Sequence, residues 1–116
     1  MSKSQQLAQL QQLTDMILDH RLGAVRAAAR LRADTLRKIE ALRAPPAFLE
    51  DSGDTGGISG AIAALSYQSW AEARRIELRQ VLATQTAAWL DAKDAAQHAF
   101  GKSQSLDGAR KKIAAA

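Results

Sequence analysis

A chain of 116 residues with a net charge of +4 holds material for one domain at most. Apolar residues make up 47% of it but aromatics only 4%, so alanine and leucine carry the hydrophobicity, which suits long helices meeting along a narrow seam better than a compact core. The absence of cysteine excludes disulfides, thiolate zinc sites and cysteine nucleophiles, and no run approaches the roughly 20 apolar residues that span a bilayer.

The first predicted helix runs from about Ser4 to Ala44. It begins in a Gln-rich amphipathic stretch, not an apolar signal region, so a cytoplasmic chain is expected. Its clearest stripe is Leu18, Leu22, Val25, Ala29, Arg32, Leu36, Ile39 and Arg43, with alternating steps of four and three, six of the eight being apolar. Upstream, Leu10, Leu13 and Ile17 lie on a neighbouring face, which reads as a phase shift in the heptad or as a second contact surface. Pro45 and Pro46 end the helix, because proline disfavours helical geometry in the residue before it.

From Pro45 to Ser59 three acids and three closely spaced glycines specify a flexible loop, either disordered or functional, with Phe48 and Leu49 positioned to fold back on the helix ends. The second predicted helix runs from about Gly60 to Phe100, with Ser59 as N-cap and Gly101 as C-terminal glycine. Ile62, Leu65, Ser69, Ala73 and Ile76 give its first stripe; Leu78, Leu82, Gln85, Trp89, Ala92, Ala96 and Ala99 give the next, on a changed phase. The basic tail, 101 to 116, is expected to fray. Two helices of similar length, each roughly 60 Å at 1.5 Å per residue, joined by one loop, make an antiparallel hairpin the simplest arrangement. Apolar residues off the seam then remain exposed as contact sites.

Catalytic chemistry finds little support. His20 follows Asp15 and Asp19, and His98 follows Asp91 and Asp94, but solvated helix faces explain these residues as well as a metal site does. Gly53-Asp54-Thr55-Gly56-Gly57 lacks the Lys and Ser/Thr of a phosphate loop. Arg26, Arg30 and Arg37 lie close to one helical face. Asp34 and Glu40 interrupt that basic stripe and no base-stacking aromatics accompany it, so it points to an acidic protein surface and not to nucleic acid. Trp89 belongs to the seam pattern. Trp70 stands beside it as either a packing residue or a partner anchor, with Arg74 and Arg75 one turn on.

The segment from Tyr67-Gln68-Ser69-Trp70-Ala71-Glu72-Ala73-Arg74-Arg75 through Ala99-Phe100-Gly101-Lys102 resembles the second helix of the FliJ/YscO group, coiled-coil stalk proteins of flagellar and type III export. The Gly-rich loop departs from that pattern. The resemblance implies docking on an export ATPase ring and contact with the export gate or with chaperones.

The expectation is therefore all-α: two long antiparallel helices forming a coiled-coil hairpin with a Gly-rich connecting loop, acting as a non-enzymatic protein-interaction module without cofactor or metal. Leu10, Leu13, Ile17, Arg26, Arg30, Arg37, Trp70 and Arg74 are its expected partner-binding residues. A stalk or adaptor of an export ATPase is one form of it; a homo-oligomeric bundle scaffold, including a homodimer, and a small export chaperone are the alternatives.

Overall fold

The computed structural model of the chain describes residues 2–44 and 57–115. They form an all-α hairpin of two helices, α1 (Lys3–Ala41) and α2 (Gly57–Ala115), running antiparallel. Of the expected loop from Pro45 to Ser59, residues 45–56, with Phe48 and Leu49, lie outside the described residues.

Helix α1 opens on a capping box. The Gln5 N–H donates to the Ser2 hydroxyl at 3.2 Å while the Ser2 N–H donates to Gln5 Oε1 at 3.3 Å, satisfying two otherwise orphaned donors. Its last turn tightens, with the Leu42 N–H on the Ile39 carbonyl and the Arg43 N–H on the Glu40 carbonyl, both at 3.1 Å.

Helix α2 is longer than expected at both ends. It starts at Gly57, whose φ of 53° lies in the left-handed region, so Ser59 falls within its first turn instead of capping it. It also runs through Gly101 and Gly108 to Ala115, where a fraying tail was expected. The physical reason is that the tail has work to do in the seam: Ser103, Leu106 and Ala109 are half-buried. An Asp107–Lys111 pair at 3.1 Å and Lys112 in the last turn add the charges that a helix C-terminus favours.

Packing divides into two units. The first comprises residues 1–30 with 86–116. Its seam takes Leu7, Gln11, Thr14, Leu18 and Val25 from α1, and Trp89, Ala92, Ala96, Ala99 and Ser103 from α2. Ala96 and Ala99 are buried, and their small side chains let the backbones approach. A polar lock crosses this seam. Gln11 Nε2 donates to Asp15 Oδ1 and to Ser103 Oγ, both at 3.0 Å, and Ser103 Oγ donates to Asp15 at 2.9 Å.

The second unit comprises residues 31–85. Thr35, only 4% exposed, donates its hydroxyl to Gln85 Oε1 at 2.6 Å, and farther along the α2 seam Leu78 and Ala71 are buried. Where α1 ends, α2 supplies the missing donors: Arg75 Nη1 binds the Leu42 carbonyl at 3.1 Å and the Tyr67 hydroxyl binds the Ala44 carbonyl at 3.3 Å. A cation at the carbonyl end of a helix also meets its negative dipole end.

The expected stripes are half right. Leu78 through Ala99 form the α2 seam as read, and Leu18, Val25, Arg32 and Ile39 are in the α1 seam. Of the intervening α1 positions Ala29 is half-buried as expected, Thr35 and Leu42 face inward where Leu36 and Arg43 were expected, and Leu22 and Leu36 are exposed. In the first part of α2 the seam is Gly60, Ala64, Tyr67, Ala71 and Arg75, leaving Ile62, Leu65, Ser69, Ala73 and Ile76 outside. The phase does change once, where the two consecutive four-residue steps of Tyr67, Ala71 and Arg75 make a stutter. In α1 the half-buried positions keep one register from Leu7 to Leu18, so Leu10, Leu13 and Ile17 are a second surface and not a shifted seam.

Candidate partner-binding faces

In the first unit, Leu10, Leu13 and Ile17 project from α1 with steps of three and four, each about half exposed, with Met16 beside them. Ala24 and Ala27 extend the same spacing, exposed Arg30 follows Ala27 one step on, and exposed Arg26 lies toward the opposite side of the helix. No ion pair engages Arg26 or Arg30 among the described residues. This unit holds nine basic and five acidic residues, whereas the second holds seven of each once the linking stretch is included. The whole net charge of the chain therefore belongs to the first unit. On the side of its seam, Leu18, Leu22, Val25, Ala96 and Phe100 line an open apolar groove of about 340 Å³ beside Lys93. The Lys93 ammonium lies 4.5 Å from the Trp89 ring centroid, a cation–π contact that leaves Trp89 half-buried in the seam.

Arg37 belongs to the second unit and forms an exposed ion pair with Asp34, three residues before it on the same helix.

Trp70 is 57% exposed, with its ring 5.8 Å from that of Tyr67 at 42°, so it is a surface aromatic backed by a second ring. Arg74 pairs with Glu77 at 3.0 Å, while Arg75 holds Glu72 at 2.6 Å as well as the end of α1. Arg75 was read as the rim of a patch; its second job is visible only once the helices are paired. The hydrogen bond and charge of Arg75 hold the Glu72 carboxyl below its usual range, against a smaller opposing effect of burial and with a still smaller contribution from the charge of Arg79, so Glu72 stays ionised further into acid than a free glutamate.

The sequence reading missed the binding potential of Ile58, Ile62, Leu65 and Ile76. Ile58 is 80% exposed, and all four lie on the outer face of α2. The spacing of Ile62, Leu65 and Ile76 was legible but was assigned to the seam, and Ile58 fell within the expected loop. A further signal was present: from Gly57 to Ala71 the helix carries no charged residue, so nothing but contact with another surface would shield these side chains from water.

Among the described residues no three His, Asp or Glu side chains group in a way that could hold a metal ion, and no helix is long and apolar enough to cross a membrane. No protein-family model, curated protein or solved structure matches the chain.

Proposed function

We propose that the chain is a non-enzymatic protein-interaction module whose first unit docks an acidic amphipathic segment of a partner protein. The observation that carries this reading is the exposed stripe of Leu10, Leu13 and Ile17 on the unit that holds all the net positive charge. Apolar anchors on a helix that also exposes Arg26 and Arg30 farther along suit a partner helix with leucines at heptad spacing and glutamates among its polar positions. Trp70 and Arg74 offer a further anchor on the second unit.

A synthetic leucine-heptad peptide flanked by glutamates, compared with a lysine-flanked version, tests the reading. The acidic peptide is expected to bind, and Arg26→Glu with Arg30→Glu to abolish binding while helicity by circular dichroism is unchanged. Equal binding of both peptides, or none of either, rejects it. The FliJ/YscO-like stalk is one specific form, supported by the antiparallel two-helix architecture; co-purification with a hexameric ATPase favours it over an export chaperone.

A further inference from the structure

The outer face of α2 in the second unit has an internal symmetry of charge and size. Centred on Ile76, its exposed positions read Ser69, Glu72, Ile76, Arg79 and Ala83, with steps of three, four, three and four. Glu72 and Arg79 lie on the same flank of this stripe, on opposite sides of Ile76 along the axis. Ala73 and Gln80 occupy the other flank in the same way. A two-fold axis through Ile76, perpendicular to the helix, brings each member of such a pair opposite the other in a second copy: Glu72 opposite Arg79 twice, Ser69 opposite Ala83 twice, and Ile76 opposite itself. An isologous interface requires this self-complementarity, since residue i must meet j while j meets i.

Four further observations agree. Ile76 is 51% exposed, a large apolar cost for a residue without cover. Small Ser69 and Ala83 on either side let two helices approach to the usual 8–10 Å. From Ser69 to Ala83, Glu72 and Glu77 offset two of the three arginines, so two copies meet along this stretch with little net repulsion. Arg79 also enters into no ion pair among the described residues; it reaches Glu72 of its own chain only through a longer-range charge effect.

From these observations we infer that two copies of the chain associate in antiparallel fashion through the outer face of α2, with Ile76 on the two-fold axis and Glu72 paired with Arg79 of the second copy. This surface and occupant are distinct from the acidic-partner stripe, and stand or fall independently of it.

The chain has no cysteine, so single-cysteine variants of the full chain report the geometry cleanly. With a short bismaleimide, Ile76→Cys is expected to cross-link to a dimer and Leu65→Cys is not, since residues 65 of two copies lie about 33 Å apart along the axis at 1.5 Å per residue. Cross-linking at both positions, at 65 only, or at neither overturns the inference. Charge reversal supplies a second reading by sedimentation equilibrium. Glu72→Arg is expected to raise the dimer dissociation constant by about tenfold through two like-charge contacts, and adding Arg79→Glu to restore it. A double variant as weak as the single one rejects the pairing, as does a wild-type chain that stays monomeric at high micromolar concentration. Circular dichroism on each variant separates loss of association from loss of folding.

Discussion

Thr35 shows what a single position decides in a seam this narrow. Its hydroxyl has one proton and two acceptors in reach, the Leu31 carbonyl at 3.2 Å and Gln85 Oε1 at 2.6 Å. A leucine was available one position later, yet Leu36 faces solvent and the threonine faces in. A buried polar pair of this kind fixes register, because any slip leaves both groups without partners. Thr35→Val keeps the shape and removes the donor, stranding the Gln85 oxygen at a cost of about 1–2 kcal/mol. Combining it with Gln85→Leu removes both polar groups and is expected to return stability to wild type or above. Urea denaturation of the single and double variants checks this; additive losses would show that the pair does not act as a pair.

At the scale of the helix, Gly101 carries the lesson about length. Glycine after an apolar run is a common stop signal, but here the backbone stays helical, and a Cβ placed on Gly101 meets nothing within 4 Å. Gly101→Ala is therefore expected to stabilise the chain by roughly 0.5–1 kcal/mol, through lower entropy of the unfolded state and better helix propensity. A lower thermal midpoint would mean that the helix breaks at Gly101 after all. The error in the sequence reading has a physical source. Local signals such as Gly101 describe what a segment does alone, whereas Ser103 and Leu106 are held by α1, a partner roughly ninety residues away. The two helices and their antiparallel pairing were legible from heptad spacing, and so was the Leu78–Ala99 seam, where inward Leu78, Leu82 and Trp89 set the phase that Ala92, Ala96 and Ala99 continue. Seam positions filled by Gly60, Ala64 and Ala71 were not, because bulky Ile62 and Leu65 gave the stronger periodic signal from the opposite side of the same helix. The same mistake hid the candidate surface: the residues that looked like core were the exposed ones. Leu10, Leu13 and Ile17 escaped it only because their offset from the main stripe was visible.

Charge separates the two proposed surfaces at the scale of the whole molecule. The first unit holds the entire excess of basic residues and the second has none, so the two associations should respond differently to ionic strength. Docking of an acidic peptide at Leu10, Leu13 and Ile17 draws on exposed arginines with no ion pair among the described residues. Raising salt from about 0.05 to 0.5 M shortens the screening length from over 10 Å to about 4 Å and is expected to weaken that binding by tenfold or more. Self-association through Ile76 relies on apolar contact with two short-range ion pairs, and is expected to change by less than about threefold over the same range. Peptide titration and sedimentation, run side by side in both buffers, measure the two responses on one protein. Equal salt sensitivity would mean that both events use the basic unit, and that the outer face of α2 has some other occupant.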